Sequence, residues 1–184
     1  MAKVELGKGR STVNELPQGI EVIIPAKKSY FVIFFLAFWL VGWAFGEISA
    51  IGALLDSENK APTLFLSAWL GAWTIGGAFA ILAWLWNIKG KEVVRVDGIE
   101  LKHIRDFVLF KRSKEYELAH IKELRANTSN TSMFNINAGM EFWGFTGGSI
   151  AFDYGHSTHK FGAGLDEAEA KHIAETIKNR YKIL

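Results

Sequence analysis

Four patterns of apolar and polar positions follow one another along the chain. Residues 1 to 19 show no period and carry Gly7, Gly9 and Pro17, which predicts an irregular arm. Ile20 to Pro25 (IEVIIP) is β-branched and partly alternating, which predicts a short strand stopped by Pro25. Tyr30 to Leu55 and Thr63 to Ile88 are nearly unbroken apolar runs. A bilayer core needs about 20 apolar residues per helix, so each run is long enough to cross one. The runs also repeat each other thirty positions apart. Trp39-Leu40, Trp43, Gly46, Ala50 and Ile51 return as Trp69-Leu70, Trp73, Gly76, Ala80 and Ile81. A transmembrane helical hairpin is the expectation.

After Gly90 the period falls to two. Glu92 to Asp97 predicts a strand, Asp97-Gly98 a tight hairpin turn, and Ile99 to Ile104 its partner. A third strand is expected to start at Phe107 and run through Arg112 toward Tyr116. Leu118 to His120 predicts a tight connection and Ile121 to Ala126 a fourth strand. Asn127 to Ala138 is rich in Asn, Ser and Thr and predicts a loop, with a further strand over Met140 to Phe145. Ser149 to Tyr154 and Thr158 to Phe161 flank a turn at Gly155. One amphipathic helix follows, with Ile173, Ile177 and Tyr181 on one face. Asp166 with Glu169 three residues on predicts a capping box.

Three stretches, KEVVRVDGIELKHI, RSKEYELAHIKELR and GSIAFDYGHSTHKFGAGLDEAEAKHIAETI, together resemble the pleckstrin-homology-like fold of bacterial PH-domain membrane proteins, over roughly residues 91 to 182. The resemblance implies an α+β chain. A two-helix transmembrane hairpin would precede a PH-like antiparallel β-barrel or sandwich capped by a C-terminal helix. The expected division is an arm at 1–28, the hairpin at 29–89 and the PH-like domain at 90–184. Phosphoinositide-binding members use a basic loop between the first two strands. Here that loop is Asp97-Gly98, short and acidic, so headgroup binding does not carry over.

Charge and composition narrow the classes. Net charge is +2, which gives no basic surface for nucleic acid. The absence of Cys excludes disulfides, thiolate metal sites and cysteine catalysis. The polar start gives no signal-peptide pattern. Lys27, Lys28, Lys89, Lys91 and Arg95 flank the spans, whereas Asp56, Glu58 and Lys60 lie in the connecting turn. Basic residues stay inside, so both termini are expected in the cytoplasm, and the resemblance implies a bacterial inner membrane.

Glu47 is the only charge well inside a span and stands where the repeat has Gly77. An intramembrane carboxylate is costly and often functional. It could accept protons, anchor a partner subunit, or bond to Ser49, Thr74 or an indole N–H. Gly42 and Gly46, with Ala72 and Gly76, are small residues four apart and predict the close-packed interface of the hairpin, the alternative being a contact surface for another protein. Trp39, Trp43, Trp69 and Trp73 would fill that interface or face lipid, a pigment or a partner, and Trp84 and Trp86 fit an interfacial belt. No His lies in the spans, which excludes imidazole ligation of haem or chlorophyll there.

Elsewhere the signals are weaker. His156 and His159 lack a third ligand and read as surface histidines. Gly162-Ala163-Gly164 precedes a helix as phosphate loops do, yet Asp166, Glu167 and Glu169 put negative charge there. Lys111, Arg112 and Lys114 with Arg105 could touch anionic headgroups, but read first as a solvated strand edge. The sequons at Asn127 and Asn130 would be cytoplasmic and unmodified. The expected role is a non-enzymatic accessory or scaffolding subunit without cofactor or metal. Its partners would be the lipid bilayer and other integral membrane subunits of a larger complex, respiratory, photosynthetic or other. The alternative is a proton-handling or transport component acting through Glu47 in an oligomer.

Overall fold

The alternating run after Gly90 forms the centre of a six-stranded antiparallel sheet. The computed structural model describes residues 3–4, 9–56, 63–127 and 147–183. The expected external turn from Asp56 to Pro62 apart from Asp56, most of the loop after Asn127, the strand at Met140 to Phe145, and the sequons apart from Asn127 lie outside these residues.

The sheet runs in sequence order through β1 (Lys3–Val4), β2 (Thr12–Leu16), β3 (Gly19–Pro25), β4 (Lys91–Asp97), β5 (Glu100–Asp106) and β6 (Lys111–Glu117). A 3₁₀ turn at Leu118–His120 leads to a second sheet of β7 (Ile121–Ala126), β8 (Ile150–Tyr154) and β9 (Ser157–Phe161). Helix α3 (Glu167–Tyr181) packs on β7 and β8. Among the described residues no ladder joins β6 to β7, so the expected barrel is not closed.

The strand expected over Ile20 to Pro25 is present as β3, but the arm before it, expected to be irregular, departs from the sequence expectation. Thr12–Leu16 and Gly19–Pro25 form a hairpin, and β3 pairs with β4 along its whole length, from Gly19 opposite Asp97 to Pro25 opposite Lys91. This single register turns Ile20, Val22 and Ile24 inward, opposite Val96, Val94 and Glu92. All three are at most 2% exposed. Burying such a side chain contributes roughly 1.5–3 kcal/mol, so the arm carries a full share of the core. That core also takes Leu101 and Tyr116 from the same sheet, Phe152 and Phe161 from the other, and Ile173 and Ile177 from α3. Met1–Lys27 and Lys89–Leu184 therefore belong to one compact unit, and Lys28–Ile88 forms the other.

The second unit is the helical hairpin, α1 (Tyr30–Leu55) and α2 (Thr63–Lys89). At about 1.5 Å per residue, 26 residues extend roughly 39 Å, more than a hydrocarbon core of about 30 Å. Both helices are long and apolar enough to cross a membrane, and only 11% of either apolar window is buried within the protein. Phe31, Phe34, Phe38, Phe45, Ile48 and Ile75 all lie exposed. A helix apolar on every side suits lipid or the interior of a larger assembly.

Candidate functional site

Within the hairpin the tryptophans, and only some of the small residues, make the seam. The Trp43 indole N–H donates to the Trp73 carbonyl at 3.1 Å, and the Trp84 indole donates to the Ile33 carbonyl at 3.1 Å. A Cβ on Gly77 would lie 2.1 Å from the Trp43 ring, so only glycine admits that ring. A Cβ on Gly46 would lie 3.6 Å from the Trp73 ring, in ordinary contact. Trp73 also stacks on Trp69 at 4.8 Å and meets Trp39 at 6.0 Å.

The expected interface along Gly42, Gly46, Ala72 and Gly76 is thereby corrected. Gly46 lies in the seam, but a Cβ on Gly42 or Gly76 would meet nothing within 4 Å, and Gly42, Ala72 and Gly76 are exposed. Large rings hold the helices together by filling the space between them. Gly77 takes the role that the sequence pattern gave to Gly76, because Trp43 needs a cradle and a two-residue apolar motif does not reveal which glycine faces it. Trp86 is 3% exposed, so its ring is covered by the protein itself.

Glu47 bonds as the structural reading of the sequence expected. The Thr74 hydroxyl donates to its Oε1 at 2.6 Å and also approaches the Leu70 carbonyl at 2.8 Å. Glu47 Oε2 and the Trp73 indole nitrogen are both buried without a hydrogen-bond partner. An acceptor and a donor thus remain unused in one seam.

A second polar centre, not foreseen, lies in the sheet unit. Glu92 is 2% exposed and faces the core because it shares its side of β4 with Val94 and Val96. Its carboxylate accepts from the Gly162 N–H at 2.6 Å. Arg105, its cross-strand neighbour, stands 3.0 Å away, and the His103 imidazole 3.7 Å. Burial by itself would raise the Glu92 carboxyl. The nearby imidazole, the guanidinium and the Gly162 amide outweigh it and hold the group below its ordinary range. Gly162 has φ +79, which suits glycine, and its amide is already taken by a carboxylate. The Gly162 amide is therefore not open to a phosphate. The signal for this centre was Glu92 in phase with two valines.

A third buried carboxylate is Glu169. Asp166 caps α3 by accepting from the Glu169 N–H at 2.8 Å, as expected. The Glu169 side chain does not complete the box; it bonds Ser11 instead.

His159 packs against Tyr116 at 4.8 Å and Phe152 at 5.6 Å, and is only half exposed. Burial, then Lys114, lowers its pKa. Among the described residues no three His, Asp or Glu side chains gather as a metal site. Thr74, the Gly162 amide and Ser11 take up these three carboxylates, which bind the protein to itself. No family model, curated protein or solved structure matches the chain.

Proposed function

We propose that the chain is a membrane-anchored accessory subunit. Its hairpin would pack against other integral membrane proteins, and its sheet unit would be a PH-like domain on the cytoplasmic side of a bacterial inner membrane, with both termini there. The observation that carries this reading is the outer surface of the hairpin. Gly42, Ala72 and Gly76 lie exposed with open space above the two glycines, amid phenylalanines that also face outward. Small residues on a lipid-facing surface let a partner helix approach closely. The strand order, a meander into a second sheet with a terminal helix across β7 and β8, supports the PH-like assignment.

The second reading is proton handling through Glu47 in an oligomer, favoured by its buried Oε2 without a partner. One comparison separates the two. Complexes are recovered in mild detergent from cells carrying the wild type, Gly42→Leu with Gly76→Leu, or Glu47→Gln. The accessory reading expects the double variant to insert normally but lose co-purifying subunits, and Glu47→Gln to keep both assembly and associated activity. Intact recovery with the double variant would overturn it. Loss of activity in an assembled Glu47→Gln complex would favour proton transfer. Reporter fusions at residues 1 and 184 test the topology, which fails if either end reports from outside.

A further inference from the structure

The turn between β5 and β6 has the wrong chemistry for a soluble loop. It reads Phe107-Val108-Leu109-Phe110, where hairpin tips ordinarily carry Gly, Asn, Asp or Ser. Its backbone is nevertheless a formed turn. The Phe107 N–H donates to the Phe110 carbonyl at 2.9 Å, and Asp106 Oδ1 accepts from the Val108 N–H at 3.1 Å. Val108 is held at φ 74, a region that a β-branched residue strongly disfavours. The two phenylalanine rings stack at 5.0 Å. Phe107 is turned inward at 8% exposure, while Val108, Leu109 and Phe110 stand out at 44%, 66% and 47%. An ordered, strained turn that holds three apolar side chains outward has a use for them.

The register says where this tip lies. Asp106, the residue before it, pairs with Lys91, and Lys91 pairs with Pro25. The tip is therefore at the end of the sheet from which the chain leaves toward α1 and to which it returns from α2. The return takes two residues, Lys89 to Lys91, and the Ala26 N–H bonds to the Gly90 carbonyl at 3.0 Å across the two crossings. Two residues span at most about 7 Å. Exposed cations share this end: Lys27, Lys89 and Lys91 at the crossings, and Lys111 and Arg112 directly after the tip. Lys111 keeps most of its exposure although it stands 3.5 Å from Asp106. Apolar side chains ringed by Lys and Arg suit the boundary between acyl chains and anionic headgroups.

We infer that the β5–β6 tip is a membrane contact additional to the spans, with Val108, Leu109 and Phe110 dipping into the near leaflet while Lys111 and Arg112 meet its headgroups. The inference rests on the membrane reading of the hairpin. Its occupant is the bilayer, because the tip follows Asp106, whose ladder partner Lys91 lies two residues from the end of a helix of bilayer-spanning length, and because the charge beside it has the sign that lipid surfaces attract. The contact would fix the orientation of the sheet unit at the surface.

The chain has no Cys, so single labels are clean. Full-length protein is reconstituted in vesicles of phosphatidylcholine and phosphatidylglycerol in equal parts. It carries one environment-sensitive fluorophore at Leu109→Cys, at Ile99→Cys or at Phe38→Cys. Ile99 is equally suited to labelling at 78% exposure, but its turn lies at the opposite end of β4 and β5, about 20 Å away. Lipids with a quencher near the headgroup should quench position 109 severalfold more than position 99, and deep-chain quenchers should reach position 38. Quenching at 38 with 109 no better quenched than 99 would overturn the tip contact alone. No quenching at 38 would overturn the membrane reading and this inference together. A label at 109 that is shielded from water yet untouched by lipid quenchers would assign the tip to protein, and would also overturn it.

Discussion

Ser11 and Glu169 are 158 residues apart in sequence, yet the Ser11 N–H donates to Glu169 Oε1 at 2.7 Å, and the Ser11 hydroxyl donates to the same oxygen. A Cβ on Gly9 would fall 2.6 Å from that atom. The carboxylate is 8% exposed and joins the start of the chain to the first turn of its last helix. The side chain thus reaches the arm and not the Asp166 amide, and its other oxygen, Oε2, is buried without a hydrogen-bond partner.

Glu169→Ala should therefore unfold more easily than wild type. The Ser11 N–H would be left buried and unpaired, a loss of about 1–3 kcal/mol. Glu169→Gln keeps an acceptor oxygen and should lose less than half as much, and Ser11→Ala removes only the hydroxyl bond. Urea unfolding of the full chain in micelles, followed by a probe on the sheet unit, measures all three. Equal midpoints for wild type and Glu169→Ala would show that the contact adds nothing.

The sheet unit is discontinuous in sequence, and this sets what can fold alone. A fragment of residues 91–184 lacks β3 and with it Ile20, Val22 and Ile24, each worth roughly 1.5–3 kcal/mol of burial. Typical domains have only about 5–15 kcal/mol of net stability. The fragment should show no cooperative transition. Joining residues 1–27 to 89–184 through a short Gly-Ser linker in place of the hairpin should restore one, because Ala26 and Gly90 are already hydrogen-bonded neighbours. Calorimetry of the two proteins decides it; a cooperative transition in the short fragment would show that β3 is dispensable.

Acid should weaken the sheet unit through Glu92. Its folded pKa lies below the ordinary 4.5, so the unfolded chain binds the proton more readily. The stability it contributes is present above about 4.5 and is lost as pH falls through the lower folded value. His159 acts in the same direction at higher pH. Its pKa is depressed from 6.5, so acidification through that value protonates the unfolded chain first. Stability of the joined sheet unit should thus fall in two steps on acidification, the first near 6.5 and the second below 4.5. Glu92→Gln should remove the Glu92 share of the second step, leaving that of Asp97 and Asp153, whose carboxyls are also lowered. It should reduce stability at neutral pH by about 1–3 kcal/mol. An unchanged acid limb in that variant would mean that Glu92 is not the titrating group.

Much of the architecture was legible because it depends on period. The two apolar runs became α1 and α2 within a residue of their expected ends, and Asp97 closes the β4–β5 turn by accepting from the Ile99 and Glu100 amides at 2.7 and 2.8 Å. The arm was half legible: the strand expected over Ile20 to Pro25 is β3, but Thr12–Leu16 (TVNEL) has no apolar alternation and is held by pairing to β3 alone on its inner side. The third strand was expected from Phe107, because four apolar residues read as strand, but it starts at Lys111 and the phenylalanines form the turn. Composition could not tell a buried apolar run from an exposed tip. Glu92 was missed for the opposite reason: a charge in a strand reads as solvent-facing, and its partners Arg105 and Gly162 come from other elements. The hairpin seam was only half legible. Repeat symmetry offered Gly46 and Gly76 as equivalents, and side-chain packing chose Gly46 and Gly77.

That choice gives the sharpest test of the hairpin. Gly77→Leu would put carbon where the Trp43 ring lies, 2.1 Å from a Cβ, so the ring must leave and its bond to the Trp73 carbonyl must break. Gly76→Leu meets nothing within 4 Å and should leave the helix pair as it is. The two variants change neighbouring residues by the same volume, so lipid insertion and expression are matched. Indole fluorescence of the purified protein should shift for Gly77→Leu alone, and a disulfide engineered across the helices, in a chain otherwise without Cys, should form less readily in that variant. Gly76→Leu should act only where another membrane protein is present, as a loss of co-purified partner. If Gly76→Leu splays the hairpin by itself, the small residues at 42, 72 and 76 face the other helix after all, and the outer surface on which the accessory reading rests is not available to a partner.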